Sequence, residues 1–229
     1  MSHRAFDNHH RIPALKKLRS LFAVALVCVP FAASAQLPSL KSIPGLSGLT
    51  SPSGGGDAGG QNDSLVRGYV AANKDVLLAN SQMADALGLK DAAAASKATA
   101  DALTDGATKG NLEDSNKAVS ASTDAVAAEM AKGPKLDDAS KKKYQSGMAQ
   151  LGQGVLKYIG LSGPAQAFSS SLKSASPMML PKLQSGAYIV GQLPSGLSNL
   201  GTSMKNATAF AKSNDIPVPP DATKAMAAL

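Results

Sequence analysis

From Asp63 to about Ser213, apolar residues recur at alternating spacings of three and four, and the runs stop only at Gly and Pro. That period places them along one face of successive helices. No segment alternates at period two with β-branched and aromatic residues, so strands have no support. The sequence therefore predicts one all-α domain over 63–215. An up-and-down helical bundle of about five to seven helices suits its short, Gly- and Pro-marked connections, which favour antiparallel neighbours.

Individual helices can be read from their caps and faces. Asp63 caps a first run with Leu65, Tyr69, Ala72, Val76, Met83 and Leu87 on one face, ending at Gly88. Asp91 opens an Ala-rich second run that Gly106 closes. Asn111, with Asp114 three residues on, has the spacing of a capping box. It begins a third run carrying Leu112, Asn116, Val119, Thr123, Val126 and Met130, stopped by Gly133-Pro134. Asp137 caps a fourth, with Tyr144, Met148, Leu151, Val155 and Tyr158, up to Gly160. Pro164 suits the first turn of a fifth, which carries Phe168 and Leu172 and stops before Pro177. Pro181 starts another, with Leu183, Tyr188, Ile189 and Val190, limited by Pro194; a last run extends from Ser195 to Ser213. Residues 216–229 are expected to be an extended Pro-rich segment and a short, frayed tail, because three prolines in Ile216–Pro220 remove backbone donors.

The N-terminal end reads as an export signal over 1–35. A basic stretch ends in Lys16, Lys17 and Arg19, an apolar run follows from Leu21 to Phe31, and Ala33-Ser34-Ala35 has the small-x-small form of a cleavage site. Cleavage is expected between Ala35 and Gln36, with the product in the periplasm or secreted. Val27 before Cys28 departs from the small residue that lipid attachment requires. Residues 36–62 hold Pro38, Pro44, Pro52 and two Gly clusters, and are expected to form a disordered linker.

Cleavage at that point decides which chemistry remains. All three histidines (His3, His9, His10) and the single cysteine, Cys28, precede the cut. The mature chain has no imidazole or thiol, which excludes disulfides, His- or Cys-based metal sites and His-activated nucleophiles. The leader holds five of the 23 basic residues and one of the 16 acidic ones, so 18 and 15 remain, a net charge of +3. Such a mild balance gives no nucleic-acid footprint. Ser140 to Lys143 and Ser170 to Lys173 match Ser-x-x-Lys, but the accompanying Ser-Asp-Asn and Lys-Thr-Gly motifs do not occur. The aspartates sit mostly at helix starts, where the dipole favours them. No catalytic residue, metal site or cofactor is expected, and the protein is read as non-enzymatic.

Two features carry a binding expectation. Lys141, Lys142 and Lys143 form the only basic cluster, suited to a membrane surface or an acidic partner. In the fourth helix, Gly147 and Gly154 stand seven apart around Leu151, each costing about 0.5–1 kcal/mol relative to Ala. They leave either a packing slot for a neighbouring helix or a groove for an apolar small molecule, walled by Tyr144, Met148 and Tyr158. With few aromatics and much Ala, the core reads as loose, which favours a bound lipid or self-association. The sequence-level expectation is an exported envelope protein that binds a lipid or other apolar small molecule. The alternative is a structural or interaction module that self-associates or meets a protein partner.

Overall fold

The computed structural model describes residues 58–229, and these residues are all-helical, with no strand among them. The helices are α1 (Ala58–Ala86), α2 (Lys90–Ala102), α3 (Lys109–Ala131), α4 (Asp138–Gly160), α5 (Ser162–Lys173), α6 (Gln184–Ser213) and α7 (Pro220–Ala228). A 3₁₀ turn, Leu180–Leu183, leads into α6. The expected leader over 1–35, and the expected linker as far as residue 57, lie outside the described residues.

Helix α1 organises the rest. Besides the single apolar face read from the sequence, it buries Val66, Val70, Leu77 and Ala84 on its other sides. A helix buried on most of its sides belongs in the interior, and α1 packs against α2, α3, α4, α5 and α6. Contact pairs fix the senses. Asp85 meets Lys143 and Asn73 meets Tyr158, so α4 runs opposite to α1. Asn73 meets Ser115 and Asn80 meets Ser122, so α3 runs with α1. Asn116 meets Tyr188, and Tyr144 bridges Met130 to Ala207, so α6 runs with α3.

Among the described residues a third of the buried apolar side chains are alanines, 12 of 36. Bulk therefore comes from close helix approach, with Tyr69, Tyr144, Phe168, Met83 and Leu151 filling what remains. Burying each large apolar side chain contributes about 1.5–3 kcal/mol.

Several boundaries differ from the sequence reading, each for a tertiary reason. α1 starts at Ala58, so residues 58–62 are helix and Asp63 is an exposed residue within it. The buried Asn62 accepts the Gly186 N–H through Oδ1 at 2.9 Å, a long-range contact that carries the helix back past Asp63. α3 is capped by Thr108, with Asn111 closing the capping box from the third helical position. The box read at Asn111 and Asp114 is thus displaced by one turn. The two helices expected to divide at Pro194 are one. Pro194 sits on the exposed side of α6, and Ile189 and Leu193 before it bury on the same core as Leu200 and Met204 after it. One lost helical hydrogen bond costs less than uncoupling those halves.

Residues 220–228 are not a frayed tail. α7 docks on α4, with Ala222 and Ala225 fully buried. Gly152 makes this possible. A Cβ there would stand 2.5 Å from the Asp221 carbonyl carbon and 2.6 Å from the Ala222 nitrogen. Gln153 Nε2 also donates to Asp221 Oδ2 at 3.0 Å.

Replacing helical Gly by Ala should therefore have opposite signs at two positions. Gly191→Ala, with nothing within 4 Å of the new methyl, should raise stability by about 0.5–1 kcal/mol in urea melts. Gly152→Ala should lower it by about 1–3 kcal/mol. Hydrogen exchange should show residues 220–228 losing protection before α1 does.

Candidate functional site

The slot around Gly147 and Gly154 exists, and α1 fills it. A Cβ on Gly147 would lie 2.7 Å from Met83 Cγ and 3.0 Å from the Ala79 carbonyl oxygen. One on Gly154 would lie 2.8 Å from Val76 Cγ2 and 3.3 Å from the Ala72 carbonyl oxygen. Ala72, Val76, Ala79 and Met83 form one ridge of α1 at spacings of four, three and four. Tyr144, Met148, Leu151 and Tyr158 flank this contact and are at most 2% exposed. The hollow beside Leu151 and Met83 measures about 10 Å³, which at most suits one water. Of the two readings open for the slot, the geometry is that of helix packing.

The lysine cluster is divided. Lys143 is tied to Asp85 of α1 at 2.6 Å, while Lys142 is exposed and Lys141 partly so. Further along α4, Lys157 pairs with Asp75 at 2.6 Å, and Gln150 donates to the same carboxylate at 2.9 Å. These contacts pin α4 to α1 on either side of the glycines.

A polar seam runs beside the slot. Asn73 and Asn80, both at most 2% exposed, point from α1 toward α3. Asn73 Nδ2 donates to Ser115 Oγ at 3.0 Å and to Asn116 Oδ1 at 3.1 Å. One heptad on, Asn80 Nδ2 donates to Ser122 Oγ at 2.8 Å and Thr123 Oγ1 at 3.0 Å. Tyr158 of α4 donates to Asn73 Oδ1, and Tyr69 to Asn116 Oδ1 at 2.9 Å. Asn116 Nδ2 in turn donates to the Tyr188 hydroxyl of α6 at 2.8 Å. The rings of Tyr69 and Tyr158 meet edge to face, with centroids 5.2 Å apart. One network thus joins α1, α3, α4 and α6.

Sequence periodicity counted Asn116 and Thr123 within an apolar face and passed over Asn73 and Asn80. The signal that finds them is the seven-residue repeat itself. Asn73 and Asn80 recur in step with Ser115 and Ser122, and with Asn116 and Thr123.

Above this seam α3 and α6 part to leave a cleft of about 350 Å³. Its walls are Asn116, Ser120, Thr123 and Asp124 from α3, and Gln192, Ser195, Asn199, Ser203 and Asn206 from α6; Tyr69 and Tyr158 lie at its floor. Gly196 opens the α6 side, since a Cβ there would stand 3.2 Å from the Tyr158 ring. Most facing side chains are short and polar, with Asp124 the one charge and Val119, Ala127 and Leu200 contributing apolar wall. Asn116 and Thr123 bond inward to the seam and the Ser195 and Ser203 hydroxyls to their own helix, while the exposed amides of Gln192, Asn199 and Asn206 carry no such bond among the described residues.

Comparison of the chain with protein-family models, with curated proteins and with solved structures gives no match.

Burial pushes the phenols of Tyr69, Tyr144 and Tyr158 above their ordinary value, and for Tyr158 the neighbouring Tyr69 adds to the rise. The unfolded chain ionises these groups near pH 10.0, the folded chain at higher pH. Their contribution to stability is intact below pH 10.0 and falls as pH rises toward the folded values. Urea midpoints measured from pH 8 to 12 should thus decline only on the alkaline side. Tyr144→Phe should reduce that slope by about 1.4 kcal/mol per pH unit, one proton's worth. An unchanged slope would contradict the assignment.

Proposed function

We propose that this chain is an exported, non-enzymatic helical protein of the bacterial cell envelope that acts by binding, at the cleft between α3 and α6. The ligand is a neutral molecule rich in hydroxyl and amide groups, the chemistry of a glycan strand. One observation carries the reading: two helices running the same way face each other across a 350 Å³ opening whose walls mix amide and hydroxyl side chains with Val119, Ala127 and Leu200, and carry one charge, Asp124. Gln192, Asn199 and Asn206 are exposed and make no side-chain hydrogen bond within the described residues, so their amides are available to a ligand. A site built to hydrogen-bond hydroxyls discriminates through such groups. The floor is held by the Asn73 and Asn116 network, so the cleft does not have to form when the ligand arrives, which lowers the cost of binding.

The apolar-ligand reading loses its slot to α1. Export remains part of the proposal on the strength of the leader, and the mature sequence that export would leave has no His or Cys to support nucleophilic or metal chemistry.

With no Trp in the chain, and two of its four tyrosines, Tyr69 and Tyr158, at the cleft floor, tyrosine fluorescence responds to occupancy of the cleft. Titration with N-acetylglucosamine oligosaccharides should change that emission saturably. Asn199→Ala combined with Gln192→Ala should weaken binding at least about tenfold, the loss expected of two hydrogen bonds. Neither side chain supports the core, so far-UV circular dichroism should be unchanged. Absence of any saturable change at millimolar oligosaccharide would reject a glycan ligand.

A further inference from the structure

After α5 the chain turns into the 3₁₀ helix through the sequence Ser176-Pro177-Met178-Met179-Leu180-Pro181. Met178 is 87% exposed and Leu180 45%, beside a partly buried Met179 that packs on the core. The segment is a built feature. Met179 N–H donates to the Ser176 carbonyl and Lys182 N–H to the Met179 carbonyl, each at 2.9 Å. Pro177 and Pro181 restrict the backbone on either side. An ordered turn that holds a methionine and a leucine out in water calls for a partner with an apolar interior.

Charge says which partner. From Ala139 to Asn214 the chain carries eight lysines and no Asp, Glu or Arg. Two of these, Lys173 and Lys182, flank the turn, both exposed and neither in an ion pair among the described residues. The nearby carboxylates, Asp63 and Asp105, line the adjoining hollow together with Arg67 and Lys109. A symmetric contact between two copies would set Lys173 and Lys182 against their own counterparts. An anionic bilayer offers what both features need: an acyl region for Met178 and Leu180, and headgroups for ammonium groups on flexible stems. Among the described residues no helix is long and apolar enough to cross a membrane.

We propose that the Met178–Leu180 turn docks this end of the bundle on an anionic lipid surface, with Lys173 and Lys182 engaging the headgroups. Asn62, near the start of α1, is bonded to Gly186 just beyond this turn, so α1 begins at the docked end. The proposal is independent of what the α3–α6 cleft holds.

The absence of Trp from the chain allows a site-specific test. Met178→Trp places a single indole on the turn, and Lys142→Trp places one on the exposed flank of α4 as a control. On vesicles of phosphatidylglycerol and phosphatidylcholine, the Met178→Trp protein should emit at shorter wavelength and be quenched by brominated acyl chains. The Lys142→Trp protein should show neither change. Adding Lys173→Gln and Lys182→Gln to Met178→Trp should weaken vesicle binding about 30-fold. Vesicles of phosphatidylcholine alone should bind far more weakly. An unshifted indole at position 178 on the anionic vesicles would overturn the proposal. So would a shift that depends on protein concentration without lipid, which would make the turn an interface between copies.

Discussion

The close contact between α1 and α4 is the constraint on which the rest of the fold depends. Gly147 and Gly154 let the Val76 and Met83 side chains and the α1 backbone approach to distances that a single methyl would block. Such glycines cost helix stability when considered alone. The cost is offset because the approach buries Tyr144, Met148, Leu151, Val155 and Tyr158 against an axial helix. Gly152 repeats the device on another face of α4 and admits α7. One helix thus holds a long central partner on one side and a short terminal one on another.

Close packing alone does not choose a register, and the polar seam supplies that choice. A buried Asn is costly unless its donors and acceptors are met. Sliding α1 past α3 by one turn would break the bonds of Asn73 and Asn80 together. Asn116 extends the same logic to α6 through Tyr188. The seam therefore fixes the spacing of α3 and α6, whose small polar residues leave the cleft open above it. The candidate site is a consequence of the register, built where polar side chains replace core.

The helical periodicity, the Asp137 cap and the Gly147/Gly154 stripe were legible because each depends on local spacing. What filled the stripe was not, since the partner lies some 70 residues earlier and only the fold brings Val76 to Gly154. Pro194 read as a boundary because local rules are right about its lost donor, yet core contacts on both sides of it outweigh that loss. The tail after Ile216 looked frayed because an Ala-rich nonapeptide is a poor helix in isolation; its partner surface on α4 appears only after folding. Asn73 and Asn80 were concealed by their chemistry, since a polar residue on an apolar stripe reads as an interruption until its partners recur at the same interval. The turn at Met178 carried no helical period and so drew no functional reading.

These elements describe a bundle whose proposed binding surfaces lie outside its core: a largely polar cleft on one side and a cationic, apolar-tipped end. Both presuppose that α1 is locked into α4. A double-mutant cycle on Gly154→Ala and Val76→Ala, read by urea denaturation, tests that lock most directly. Removing Val76 Cγ2 clears the nearest atom to the added methyl, so the two losses should combine to at least about 1 kcal/mol less than their sum. Additivity within about 0.3 kcal/mol would mean that the two helices do not meet at these residues.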